Sequence, residues 1–164
     1  MLICIINPNT TKNMTDRIEA AANKVASNGT RIVATNPKNG PESIEGYYDE
    51  VFCIPGILEE VFLHKDADAY IIGCFDDTGL DAVRTLTNKP VLGIGDSSYH
   101  IASCLAGTFS VITTLDVSIP ILKNNLLNIN VEYFSKSESF IAYFTGVEKK
   151  LSDLILLKLF FNHF

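Results

Sequence analysis

The chain has 164 residues, of which 47% are hydrophobic and 20% charged, with a net charge of −6 at pH 7 and a pI near 5.0. That length suits one domain with a substantial core. The acidic balance argues against nucleic acid or an anionic membrane as a partner, because both need a basic face. No apolar stretch approaches the ~20 residues that cross a bilayer. The opening apolar run breaks at Asn7-Pro8 without a basic n-region or a small-residue cleavage site, so no secretory leader is expected. The four cysteines, Cys4, Cys53, Cys74 and Cys104, show no CxxC pairing or zinc-like spacing, and free thiols in a reducing cytoplasm are the default reading.

Residues 2–6 form a short continuous apolar run, expected as a strand buried in a parallel sheet. Asn7-Pro8-Asn9-Thr10-Thr11 turns the chain, since Asn and Thr offer local side-chain hydrogen bonds. Met14, Ile18, Ala21, Ala22 and Val25 recur at helical spacing over 14–26, and Asn28-Gly29 stops that helix. A second strand is expected over 30–34. The polar segment 36–48 reads as an ordered or functional loop rather than a linker. Residues 48–64 look helical around an interruption at Pro55-Gly56. An apolar run at 70–73 then gives a third strand, and a helix is predicted over 80–87, closed by Asn88-Lys89-Pro90. A fourth strand over 91–94 precedes a helix over 97–106 capped by Ser97 or Ser98. A fifth strand over 109–113 is followed by a helix over 118–125 with Pro120 in its first turn. Alternation of this kind specifies an α/β fold with a parallel sheet flanked by helices. From residue 135 the strand-turn-helix punctuation stops. The apolar run 154–161 must be buried internally or against a partner, which makes the C-terminus a candidate homo-oligomer contact.

Ligands of α/β folds bind beyond the carboxyl ends of the strands, and small polar residues follow the strands here. They are Asn7 and Asn9 after the first, Gly73-Cys74 after the third, Gly95-Asp96-Ser97 after the fourth, and Thr113-Thr114 after the fifth. One such residue is more often a turn or helix cap, but equivalent positions on one sheet edge converge on a pocket. Cys74 can be read as a buried core thiol or as a reactive one. A following helix N-terminus would favour its thiolate, while Asp76 and Asp77 would oppose it. A thiol tuned near neutral pH can remove an acidic C–H proton beside a carbonyl. Gly93-Ile94-Gly95-Asp96-Ser97 lacks the third glycine of a dinucleotide fingerprint and the Gly-Lys-Ser/Thr of a P-loop, so it reads as a tight turn. His64, His100 and His163 have no metal-ligand spacing, and Glu42, Glu45, Asp49 and Glu50 read as a solvated face. Cys4 and Cys104 read as core.

Four ordered segments resemble the hydantoin racemase group of the aspartate/glutamate/hydantoin racemase superfamily. They are Ile6-Asn7-Pro8-Asn9-Thr10-Thr11, Gly40-Pro41-Glu42-Ser43-Ile44-Glu45-Gly46, Gly73-Cys74-Phe75-Asp76-Asp77-Thr78-Gly79-Leu80-Asp81-Ala82 and Phe109-Ser110-Val111-Ile112-Thr113-Thr114-Leu115. The likeness runs over 2–125. Aspartate and glutamate racemases carry Cys-Asn-Thr where this chain has Cys-Phe-Asp, which points to the hydantoin or allantoin branch. The resemblance implies two α/β lobes, no cofactor, and a small cyclic ureide as substrate; the residue spacing itself suggests no metal site. It makes Cys74 the first catalytic thiol and places Asn7, Thr113 and Thr114 in the substrate pocket, where the loop of Asp76, Asp77 and Thr78 is expected to converge with them. The family's second Gly-Cys motif has no counterpart, because residues 135–164 contain no cysteine.

The expected organisation is a first lobe over 1–107 carrying the catalytic-type cysteine and a partial, truncated second lobe over 108–164. The expected function is racemase-like: thiol-based proton abstraction from hydantoin- or allantoin-type ureides or related amino-acid derivatives, impaired by the absent second cysteine. The alternative is a catalytically inactive small-molecule-binding or interaction protein on the same scaffold. A phosphate-binding flavodoxin-like module ranks third.

Overall fold

The computed structural model describes residues 1–113 and 115–129. The chain divides into two compact units, Met1–Ile94 and Gly95–Phe164. The first unit alternates β1 (Leu2–Ile6), α1 (Lys12–Val25), β2 (Arg31–Thr35), α2 (Tyr47–Leu63), β3 (Ala69–Ile72), α3 (Leu80–Leu86) and β4 (Val91–Gly93). The strands form one parallel sheet in the order β2-β1-β3-β4. This is the parallel α/β architecture expected from the alternation. β-branched Ile3, Ile5, Ile6, Ile71 and Ile72 suit the pleated surface, and Cys4, Ile5 and Ile6 are buried at the carboxyl half of β1.

The sheet's core is closed by α2. Cys53, Ile57 and Val61 join Cys4, Ile6, Tyr70, Ile72, Leu80 and Val83 in one buried cluster. The Tyr70 hydroxyl donates to the His64 carbonyl at 3.0 Å, so its ring is buried with its polar end satisfied. The interruption expected at Pro55-Gly56 does not occur, and α2 is one helix with Pro55 inside it. Pro55 lies on the exposed face, where water can satisfy the carbonyl that its missing N–H leaves free. Gly56 serves a close approach, because a Cβ there would stand 2.6 Å from the Pro37 side chain. The face that carries Pro55 also leaves Tyr48, Val51, Phe52, Phe62 and Leu63 exposed.

Three further expectations change. The helix predicted from Ser97 starts at Ile94, directly on the end of β4, so Ser97 and Ser98 lie within it rather than capping it (α4, Ile94–Leu105). No fifth strand forms over 109–113. Val111 is buried and Ile112 is 58% exposed, an alternation compatible with a strand, but strand structure exists only through a ladder with a neighbour. Cys104, read as core, is exposed. The second unit continues with a 3₁₀ turn, Asp116–Ser118, and α5, Ile119–Asn128, with Pro120 in the first turn as expected. Ile121, Leu122 and Leu126 are its buried stripe. The apolar run 154–161 and His163 lie outside the described residues. Among the described residues no helix is long and apolar enough to cross a membrane.

Candidate active site

The strand ends of the first unit fall in register. Ile6 pairs with Thr35 on one side and Ile72 on the other, and Ile72 pairs with Gly93. Thus Asn7, Gly73-Cys74 and Ile94 leave the sheet along one edge. Thr113 lies in the second unit, half-buried and without regular structure, and Thr114 lies outside the described residues.

The loop after β3 is tightly wound. The Gly73 N–H bonds the Ile6 carbonyl at 2.8 Å, the Asp77 N–H the Cys74 carbonyl at 3.0 Å, and the Leu80 N–H the Asp77 carbonyl at 3.0 Å. Asp77 adopts φ 55° and Gly79 φ 77°, so two left-handed residues fold six positions into a cup around the Cys74 sulfur. Glycine removes the steric cost at the second of them. Aspartate tolerates that region at the first.

Cys74 is half-buried, and its sulfur lies 3.7 Å from the Thr78 hydroxyl. The backbone N–H groups of Asp76 and Thr78, with the Thr78 hydroxyl, favour its anion. They are outweighed: burial first, then the Asp76 charge, push the thiol up to about 11. The thiolate-favouring helix terminus expected from the sequence is not what surrounds this sulfur. α3 begins at Leu80, beyond the loop, and the donors are loop amides. Asp76 opposes the thiolate as anticipated. Its own carboxyl is raised to about 6, by burial first and by Glu50 second. Asp77 and Thr78 are buried. The Asp77 carboxylate packs so closely on the Gly93 backbone that a Cβ there would overlap it and stand 2.9 Å from Leu80 Cδ2.

Asn7 is turned into the loop after β1 and is 1% exposed. Its amide nitrogen donates to Asn9 Oδ1 at 2.8 Å and Thr15 Oγ1 at 3.1 Å, and its Oδ1 accepts the Asn9 N–H at 3.4 Å. Thr15 Oγ1 donates onward to Asn36 Oδ1 at 2.7 Å. Asn7 therefore shapes the edge of the site through a buried network. Cys4 is pushed up to about 12 by burial, with Glu60 and Asp66 adding to it. Cys53 likewise reaches about 12, by burial first and then by Cys74 beside it.

Sequence reasoning missed Glu50, placed there on a solvated face. Burial raises its carboxyl, and the nearby Gly79 backbone N–H opposes that rise. The available signal was spacing: Glu50, Cys53, Ile54 and Ile57 fall at i, i+3, i+4 and i+7, in line with the buried stripe of α2. Among the described residues no group of His, Cys, Asp and Glu is placed to hold a metal ion.

Parallel sheet, register and thiol loop define an α/β protein with a half-buried cysteine cupped by backbone amides beyond a strand end. A family model described as Asp/Glu/Hydantoin racemase matches residues 3–151, and the chain belongs to that family. It is 52% identical over 117 residues to a hydantoin racemase of Pseudomonas sp. (strain NS671), covering 70% of this chain and 47% of that protein. It is 42% identical over 118 residues to a hydantoin racemase of Paenarthrobacter aurescens, covering 70% and 50%. Among solved structures it is similar to an allantoin racemase from Klebsiella pneumoniae, with TM-score 0.77 and 39% identity over 79% of this chain and 54% of that one. An allantoin racemase from Pseudomonas fluorescens gives 0.76 and 32%, over 79% and 56%. The chain spans about half the length of these relatives.

Proposed function

We propose that the protein transfers a proton at the stereocentre of a cyclic ureide of the hydantoin or allantoin type, with Cys74 as the reacting thiol. The observation that carries this reading is the Cys74 loop itself: a half-buried sulfur just beyond a parallel strand end, 3.7 Å from the Thr78 hydroxyl, in a turn wound by two left-handed residues. The relatives named for hydantoin and allantoin support the substrate class.

In the proposed step the Cys74 thiolate takes the ring C–H proton beside the carbonyl. Sulfur becomes a neutral thiol, and the electron pair left on carbon delocalises onto the carbonyl oxygen. Polar groups aimed at that oxygen stabilise the developing charge, and the loop of Asp76, Asp77 and Thr78 is the segment proposed to present them. Returning the same proton, or one from solvent, restores the ring, and the scheme draws on no cofactor. A thiol at about 11 rests protonated at neutral pH, so the resting enzyme is poised to donate, and the thiolate that abstracts is the minor form. Protonation of Asp76, or its neutralisation, makes the thiolate easier to reach. With one thiol of this kind in residues 1–164, removal and return take place on one face of the planar carbanion. Exchange then proceeds with configuration retained, and interconversion of enantiomers is impaired.

The high resting position of the thiol favours one second reading, a protein that binds the ureide without turning it over. Both are tested by incubating the chain in heavy water with a 5-substituted hydantoin, allantoin, aspartate or glutamate, following the α-type C–H signal by NMR. Loss of the signal for the ureides and not for the amino acids is expected. Binding of a ureide with an undiminished C–H signal would replace the catalytic reading with the second one.

A further inference from the structure

We infer that Asp77 is a positioning residue for Cys74: its carboxyl group fills the space that Gly93 leaves open and so latches the loop after β3 to the end of β4. This deepens the proposed function and rests on Cys74 being the reacting thiol. Gly93 is the last residue of β4 and pairs with Ile72, the last residue of β3. The loop leaves the sheet at Gly73, and Asp77 then reaches back to the neighbouring strand end. A Cβ on Gly93 would stand 2.5 Å from Asp77 Cγ and 2.9 Å from Leu80 Cδ2, with Asp77 Oδ1 closer still. Only glycine leaves that room, and the carboxyl group of Asp77 takes it.

The backbone of the same residue is fixed around that seat. The Asp77 N–H bonds the Cys74 carbonyl at 3.0 Å, and the Asp77 carbonyl accepts the Leu80 N–H at 3.0 Å. Asp77 thus closes the turn that carries Cys74 and opens the one that leads into α3. Its φ of 55° is the one positive value outside glycine among the described residues, and its side chain is buried. Both features are costs: a residue with a Cβ disfavours the left-handed region, and a carboxyl group loses hydration on burial. Glycine would meet the backbone requirement without the steric cost, as it does at Gly79 with φ 77°. What the side chain adds is the hold on β4. Asp77 acts on the thiol through the shape of the turn, because the carbonyl that its N–H grips belongs to Cys74.

The test compares Asp77→Gly with Asp77→Asn in the full chain. Both remove the charge; Asn keeps a planar group of the same size over Gly93, and Gly keeps only the left-handed backbone. The readout is the rate of Cys74 alkylation by iodoacetamide, site-resolved by mass spectrometry, with hydrogen exchange of the Leu80 amide alongside. Cys74 in the Gly variant is expected to react roughly five- to tenfold faster than in the Asn variant, with matching loss of amide protection. A role confined to backbone conformation predicts no such loosening, because Gly is the residue best suited to that φ. Labelling no faster in the Gly variant than in the Asn variant would overturn the assignment. Gly93→Ala gives an independent check. Alone, its methyl displaces the carboxyl group and should speed Cys74 labelling. Added to Asp77→Gly, it enters an empty seat and should change the rate by less than about twofold. The same acceleration in both backgrounds would also overturn the latch. Should Asp77→Gly not fold, Gly93→Ala is read against wild type, and unchanged Cys74 labelling counts against the inference. Labelling involves no turnover. A Cys74→Ala variant that still exchanged substrate protons would sink the thiol reading while leaving the latch standing, and equal labelling would do the reverse.

Discussion

Replacing Asp76 by Asn removes a charge that the folded state tolerates poorly. The Asp76 carboxyl sits at about 6 in the fold against 3.8 for an ordinary aspartate, so the folded protein binds its proton more tightly than the unfolded chain. Its stabilising contribution is therefore complete below the unfolded value and is lost as pH rises through the folded one. At about 1.36 kcal/mol per pH unit the ionised group costs the native state at most about 3 kcal/mol at pH 8. Solvent screening of a half-buried carboxylate reduces that to about 1–2 kcal/mol. Asp76→Asn should accordingly be more stable than wild type by that amount near pH 8 in urea denaturation. Near pH 3, where both states of the wild type are protonated, the difference should vanish. The same substitution removes the second-largest influence raising the Cys74 thiol, so alkylation of Cys74 near pH 8 should accelerate. An equal gain at both pH values, or slower alkylation, would refute the electrostatic account of this loop.

Gly93→Ala should cost about 1–3 kcal/mol, because the added methyl overlaps the Asp77 carboxylate and crowds Leu80; thermal denaturation reads it, and an unchanged midpoint would mean the loop yields freely. Asn7→Ala removes bonds to Asn9 and Thr15 and leaves buried partners unsatisfied, a loss of about 1–3 kcal/mol measurable in urea. Native-state labelling should modify Cys104 first, Cys74 next, and Cys4 and Cys53 last, following their exposure. Cys4 reacting ahead of Cys74 would contradict the burial that separates them.

Much of the first unit was legible because its strands are short apolar runs between turn residues. Residues 2–6, 70–73 and 91–94 each end in a polar or glycine turn, and each strand appears within a residue of its expected bounds. What local pattern could not supply was pairing and packing. Residues 109–113 have the composition of a strand but no ladder, and composition is silent on neighbours. Pro55 signals a helix break, yet an exposed position lets α2 continue. Cys104 falls in an apolar-looking helix whose outward face is decided by what packs on it.

The position of Cys74 just beyond a strand end was legible from the Ile-Ile-Gly-Cys run. The neighbourhood of its sulfur was not. Whether loop amides or a helix terminus surround it depends on where α3 starts, and a one-turn difference in that start changes the electrostatic balance. Glu50 escaped notice because its neighbours Glu45 and Asp49 are polar in sequence, while the loop that helps to bury it lies far along the chain.

The most direct test of Cys74 as the proton-transfer group uses each enantiomer of a 5-substituted hydantoin in heavy water, with optical rotation and the C5 proton signal followed together. Wild type is expected to lose the C5 proton signal while rotation persists, at a rate that rises with pH towards the thiol's ionisation near 11, and Cys74→Ala is expected to lose neither. Loss of the C5 signal by Cys74→Ala at the wild-type rate would contradict the assignment of the thiol.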